Sequence, residues 1–237
     1  WLLQNGLTLI HQNNMGAFGG PDIITDGLVY AIDAGSERSY PGSGTAVTDL
    51  VGSSNGVLEN GVGFDSANGG SWDFDGVDEF ITLPFNSSLN LDYVTAQAFV
   101  KSTFITGPNN RHYILDGPSH RWGIIVDEPN TLRWFVSTSG GVLEITWVDS
   151  SVSQDVWMDI TCTFNGSTAK IYVNSVEVTS GSITGTLTAA SNYGRIMNYV
   201  SDGYETEGLA SIFRIYNRAL SAAEVLQNYN AQKNRFI

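Results

Sequence analysis

The chain has 237 residues, long enough to bury roughly 70–75% of its unfolded surface in one large domain without covalent staples. It carries 24 acidic and 11 basic residues, a net charge of −13, and residues 1–100 hold 12 of the acids against the single base Arg38. No basic stripe exists to neutralise phosphates, which argues against nucleic acid and anionic lipid as partners. No apolar run reaches the length of a membrane span, and the one cysteine, Cys162, allows neither an intrachain disulfide nor a cysteine zinc site.

Residues 1–25 read as an extended arm. The opening WLLQNGLTLIHQ has neither a basic leader nor a long apolar core, so a signal peptide is not expected. QNNMGAFGGPD is turn chemistry, in which Gly, Asn and Pro defeat regular structure. Leu2, Leu3, Leu9 and Ile10 are then the residues free to dock the arm onto another surface or onto its own domain.

From Asp26 the strand signal dominates. Expected strands are Leu28 to Asp33, Trp72 to Phe74, Glu79 to Leu83, Val94 to Thr103, His112 to Asp116, Trp122 to Asp127, Leu132 to Thr138 and Val142 to Val148. In VWMDITCTF, residues 156–164, Val, Met, Ile, Cys and Phe alternate with Trp, Asp, Thr and Thr, a period of two that makes a strand with one buried face. AKIYVNSVEV repeats the alternation around Asn174-Ser175, a hairpin turn. Arg195 to Tyr199 and Leu209 to Tyr216 follow. Many short strands with close turns argue an all-β, two-sheet antiparallel sandwich or jelly roll over residues 26–237.

One helix closes the pattern, at about 221–233. Ser221 and Glu224 form a capping box, with Val225, Leu226 and Tyr229 as the apolar stripe. Such a helix is expected to cover an edge or an end of the sandwich.

Three stretches carry a family resemblance: DGLVYAIDAGSERSYPGSGTAVTDLVGSSNGVL, SWDFDGVDEFITLP and GLASIFRIYNRALSAAEVLQNYN. Together they resemble laminin-G-like domains of the concanavalin A-like lectin/glucanase superfamily, over Asp26 to about Gln232. The start GGPDIITDGLVYAIDAGSERSYPGSGT, with this ending, is similar to laminin-G-like proteins of tailed bacteriophages. The resemblance implies a jelly roll that binds sugars or protein surfaces, in some members through one Ca²⁺, and a place among capsid decorations, head fibres or tail appendages.

The glucanase branch carries Glu-x-Asp-x-(x)-Glu on one strand. The nearest match is EITWVD, where Thr146 replaces the middle acid and Glu144 and Asp149 fall on opposite faces of a regular strand, so catalysis is not expected. His11, His112 and His120 are too scattered for zinc. For Ca²⁺, the candidate cofactor, two acidic groups qualify on ligand type: Asp75 and Asp78, with Asp73 and Glu79; and Asp202, Glu205 and Glu207. The first also reads as an Asp75-Gly76 hairpin turn, and the second as a solvated loop.

Sugar recognition wants aromatic faces beside planar polar groups. LDGPSHRW places Asp116, His120, Arg121 and Trp122 at one turn. NYVSDGY offers Asn198, Tyr199 and Tyr204. Trp134 and Trp147 lie on adjacent strands that can face the concave sheet. The expectation is a non-enzymatic phage virion protein, a decoration or appendage at the particle surface. Its arm would join other capsid or tail proteins, alone or as a homo-oligomer, and its loops would meet host surface glycans with avidity from many copies. The alternative is a carbohydrate-binding module of a bacterial exported enzyme or adhesin, at the cell surface or outside it.

Overall fold

A computed structural model describes residues 21–102, 111–153, 155–201 and 203–236. Leu2, Leu3, Leu9, Ile10 and Asp202 lie outside the described residues. The strands in chain order are β1 (Leu28–Asp33), β2 (Ala46–Val47), β3 (Gly56–Glu59), β4 (Gly63–Asp65), β5 (Ser71–Asp75), β6 (Phe80–Leu83), β7 (Val94–Ser102) and β8 (Arg111–Asp116). They continue as β9 (Trp122–Asp127), β10 (Thr131–Thr138), β11 (Gly141–Val148), β12 (Met158–Phe164), β13 (Thr168–Val173), β14 (Val176–Ser182), β15 (Gly194–Ile196) and β16 (Glu207–Tyr216), followed by the helix α1 (Ala222–Gln232).

The strands form two eight-stranded antiparallel sheets. The first runs β14-β13-β12-β7-β16-β5-β4, with β1 also on β16; the second runs β11-β10-β9-β8-β15-β6-β3-β2. One continuous core lies between them. Trp72, Phe74, Ile160, Cys162, Phe164 and Phe213 from the first sheet meet Ile81, Ile114, Trp122, Ile124, Trp134 and Val136 from the second. This is the sandwich that period-2 patterning predicts.

Asp49, in the loop after β2, is buried and accepts hydrogen bonds from the amides of Ala31, Val51 and Ser54. That gives the Thr-Asp-Leu stretch a structural reason: one carboxylate satisfies two loop amides and ties the loop to an amide of β1.

Several expectations are corrected. Asp75-Gly76 is not a hairpin turn, because β5 pairs in the first sheet and β6 in the second, so the turn carries the chain between layers. Gly76, at φ 72°, supplies the left-handed residue that this turn requires. The helix touches the edge strand β14 but does not lie chiefly along an edge or an end. It packs on the outer face of the first sheet, where Val225 meets Tyr172, Tyr216 and Leu220, and where Tyr229 joins Phe99, Ile212 and Phe236. Leu226 points away and is 46% exposed; Asn228 and Ala231 are the buried partners of Val225.

That placement explains a second difference. β12 is buried on both faces, not one. Its polar face lies under the helix in a hydrogen-bonded layer: Gln97 Nε2 donates to Asp159 Oδ1 at 3.0 Å, Arg214 Nη1 to Gln97 Oε1 at 3.2 Å, and Asn228 Nδ2 to Tyr216 OH at 2.9 Å. Burial drives the Asp159 carboxyl up to about 7. Residues 22–24 belong to this layer as well. The Ile24 amide donates to Asn228 Oδ1 at 2.8 Å and its carbonyl accepts from Tyr216 OH at 3.0 Å. The described end of the expected arm therefore packs on its own domain.

Candidate functional site

The outer face of the second sheet carries an apolar cluster of its own, separate from the main core. Tyr113, Ile125 and Phe135 are buried there, with Tyr199 and Tyr204 packed against them. The local sequence explains why. On β10, Leu132, Trp134 and Val136 point into the core, so Arg133 and Phe135 must point out. Phe135 pairs with Gly123 of β9, and a Cβ at that glycine would lie 2.5 Å from the ring. Glycine is what allows the phenyl group to lie flat across β9.

The loop after β15 supplies the rest. The Tyr113 amide donates to the Tyr204 carbonyl at 3.1 Å, and Thr206 Oγ1 donates to the Tyr113 carbonyl at 2.8 Å. These bonds lay the loop along β8 and bring the tyrosines together. Ring centroids are 4.8 Å apart for Tyr113–Tyr199, 5.9 Å for Tyr113–Tyr204 and 5.5 Å for Tyr199–Tyr204. Burial holds the Tyr113 hydroxyl well above the usual phenol range.

His120 joins from the short 3₁₀ turn Pro118–His120. Its ring lies 4.4 Å from Phe135 and 4.9 Å from Tyr199. His120 Nδ1 is 2.7 Å from Asp116 Oδ1, and Asp116 Oδ2 accepts from the Val200 amide at 3.1 Å. The carboxyl is fully buried and the imidazole 37% exposed. Desolvation raises the Asp116 carboxyl above its ordinary value, against the opposing pull of His120 and of the Val200 amide. Both His120, at φ 51°, and Ser119, at φ 58°, are left-handed, a conformation that non-glycine residues adopt at a cost.

A charged row borders the aromatics. Arg111 Nε donates to Asp127 Oδ1 at 2.8 Å; Arg133 binds Asp127 and, through Nη1, Glu144 Oε2 at 2.5 Å. The hydrogen bond to Asp127 raises the Arg111 guanidinium above its ordinary value. Arg133 of β10 thus bridges Asp127 of β9 and Glu144 of β11.

The residues named from sequence thus separate. Asp116, His120, Tyr199 and Tyr204 come together. Arg121 and Trp122 do not join them. Arg121 is buried and donates to the carbonyls of Pro118, Leu89, Leu91 and Thr188, the work of a loop anchor. Trp122 and Trp134 are both in the main core, 6.0 Å apart, so neither forms a sugar platform, while Trp147 is partly buried against the same core. Asn198 is buried, its Oδ1 accepting from the Tyr199 amide at 2.6 Å. Sequence reasoning missed Tyr113 and Phe135; the available signal was an apolar residue out of phase on a strand whose other face was already filled.

For the cation candidates, no group of three or more His, Cys, Asp or Glu able to hold a metal ion occurs among the described residues. Asp75 Oδ1 accepts from the Val77 amide at 2.9 Å, and Glu79 Oε2 from the Asp75 amide at 2.7 Å. Asp78 lies in the same inter-sheet turn. Glu205 Oε1 accepts from the Gly203 amide at 2.8 Å, while Glu207 begins β16 opposite Asp75. Among the described residues no helix is long and apolar enough to cross a membrane.

Two packed antiparallel sheets, one outer helix and an aromatic face define a lectin-like sandwich. A laminin-G-like family model, described as Concanavalin A-like lectin/glucanases superfamily, matches residues 74–226, and the chain belongs to that superfamily. A search of curated proteins gave no match. Among solved structures, the chain is similar to the binding domain of Paraclostridial Mosquitocidal Protein 1, with a TM-score of 0.67 and 18% identity over 86% of this chain and 52% of that one. It is similar also to the ligand binding domain of botulinum neurotoxin serotype D, solved with N-acetylneuraminic acid, with a TM-score of 0.67 and 13% identity over 87% of this chain and 51% of that one. The receptor binding domain of botulinum neurotoxin type G gives a TM-score of 0.65 at 17% identity, over 87% and 52%. The chain spans about half the length of these relatives, and at such identities the likeness concerns the fold.

Proposed function

We propose that this domain is a non-catalytic recognition module that binds surface glycans with the outer face of its second sheet, displayed on the exterior of a phage particle. The observation that carries the glycan reading is the pair of partly buried rings Tyr199 and Tyr204, packed on the buried Tyr113 and Phe135 beside His120 and Asp116. The C–H face of a pyranose stacks on aromatic rings, while its hydroxyls need fixed polar partners. Asp116 fixes His120 through Nδ1, a bond that leaves Nε2 unused on a partly exposed ring. Asp127 and Glu144 are both engaged by Arg133, and that pairing supports binding without hydrolysis.

The virion placement rests on the sequence resemblance of the opening stretch. In that reading residues 1–20 join the domain to capsid or tail proteins, and many weak sites act together. A glycan array with the parent and with Tyr199→Ala, with and without EDTA, tests the glycan reading. Loss of parent signal in the variant is expected; an array with no parent signal overturns it. Labelling of intact particles with an antibody to the domain tests the placement, and absence from purified particles rejects it.

A second reading is a binding module of an exported bacterial protein. It is favoured by solved relatives that are binding domains of toxins, two of them in complex with sialylated or sialic acid ligands by description. A gene neighbourhood without capsid or tail genes would favour it.

A further inference from the structure

A depression lies elsewhere on the same outer face. It has a volume of about 340 Å³ and is lined by Val57, Glu59, Phe80, Thr82, Tyr193 and Arg195. That is the size of a small-ligand pocket. Val57 and Tyr193 are each 39% exposed within it. None of these residues belongs to the aromatic cluster around Tyr113.

One residue joins the two places. Arg195, on β15, pairs in register with Thr82 of β6 on one side and with Asp116 of β8 on the other. Its guanidinium lies 3.9 Å from the Phe80 ring centroid, and its Nη1 donates to the Tyr199 carbonyl at 3.0 Å. The pocket and the His120–Asp116 pair therefore occupy one cross-strand row, two strand spacings or roughly 10 Å apart. No single pyranose ring covers that distance. Gly194 makes the crossing close: a Cβ there would lie 2.2 Å from the Asp116 carbonyl oxygen.

Arg111 and Arg133 are paired with Asp127 and Glu144, and the pocket lining carries one cation, Arg195, against one acid, Glu59. On a chain of net charge −13, a neutral sugar is favoured over a carboxylated one.

From this geometry, and resting on the glycan reading above, we propose that the aromatic cluster and this pocket are consecutive subsites for one ligand: a linear, uncharged oligosaccharide long enough to reach from Tyr199 to Tyr193. Phe80 and Tyr193 provide the second stacking surface, and Arg195 ties it to the first.

The test is a set of arrayed neutral linear oligosaccharides of glucose, mannose, galactose and xylose, from mono- to hexasaccharide, with sialylated and uronic-acid glycans alongside. Parent protein, Tyr199→Ala and Tyr193→Ala are compared, and hits are followed by calorimetry. Tyr193 is half-exposed and its replacement leaves the core intact. Affinity of the parent is expected to rise with length. Tyr193→Ala should lose about tenfold for the longest chains, an effect near 1.4 kcal/mol, and nothing for monosaccharides. Binding that needs Tyr199 but is indifferent to length and to Tyr193 overturns the two-subsite proposal and leaves the glycan reading standing. Stronger binding of acidic than of neutral glycans also overturns it. No binding of any glycan by the parent overturns both.

Discussion

His120 Nδ1 stands 2.7 Å from Asp116 Oδ1, a half-exposed imidazole held by a carboxyl that water does not reach. The pair links the interior of the second sheet to the aromatic cluster on its outer face. Replacing Asp116 by Ala leaves the Val200 amide and the His120 ring without their acceptor, at a cost of roughly 2–3 kcal/mol. His120→Ala keeps the buried carboxyl's backbone contact and should cost less stability than Asp116→Ala while weakening glycan binding about tenfold. Urea unfolding and calorimetry on the two variants check the separation.

Asp159 sets a pH dependence of folding. Its carboxyl rises from 3.8 to about 7 because it is buried beneath α1, with Gln97, Thr161 and the nearby Arg214 pulling the other way. A raised folded value means that the neutral form is the stable one. The contribution is fully present below 3.8 and is lost as the pH rises to and through about 7. The difference in stability between Asp159→Asn and the parent should therefore grow from pH 4 to pH 7 and then level off, in favour of the variant, by at most about 4 kcal/mol. Denaturant midpoints at pH 4, 6 and 8 measure it; a difference that does not change with pH rejects the assignment.

Arg121 should behave as an anchor and not as a ligand contact. Its guanidinium satisfies four loop carbonyls, and burial lowers it to about 10. Arg121→Ala is expected to cost about 3 kcal/mol, and Arg121→Lys should not restore it, since an ammonium cannot span the same fork of acceptors. Thermal unfolding of both variants is the measurement. Full stability in Arg121→Ala would return the residue to the candidate ligand contacts.

Ser221 caps α1. Its Oγ accepts from the Glu224 amide at 3.4 Å, and Glu224 Oε2 accepts from the Ser221 amide at 2.8 Å. Ser221→Ala should cost about 1 kcal/mol. Glu224 is held down to about 2, first by its bonds to Arg218 and then by Ser221. Its contribution is present above the ordinary 4.5 and is lost as the pH falls through about 2, the reverse of Asp159. Circular dichroism during acid titration of Glu224→Gln against the parent checks this.

The strands that sequence made legible are those long enough to show a period. Leu28–Asp33 and Trp122–Asp127 match their expected bounds. β2, β3 and β4 did not show, since two to four residues set among Gly, Ser and Asn carry no alternation. The site was half legible. Asp116 and His120 sit at one turn, and Tyr199 and Tyr204 in one loop, so each pair is near in sequence. That the loop lies along β8 follows from hydrogen bonds of the Tyr113 backbone to the Tyr204 carbonyl and the Thr206 hydroxyl, which no local pattern announces.

Sequence by itself determined the all-β body and the capped helix, because alternation and capping chemistry are properties of neighbouring residues. The tertiary structure decided the rest. It set α1 on a sheet face, which turned the polar side of β12 into a buried layer and made Asp159 titrate far from its ordinary range. It also sent Trp134 inward and Phe135 outward on one strand. Side chains alternate whatever their type, so which of two adjacent aromatics joins the main core and which the outer cluster depends on where the other sheet packs, and only long-range contacts fix that.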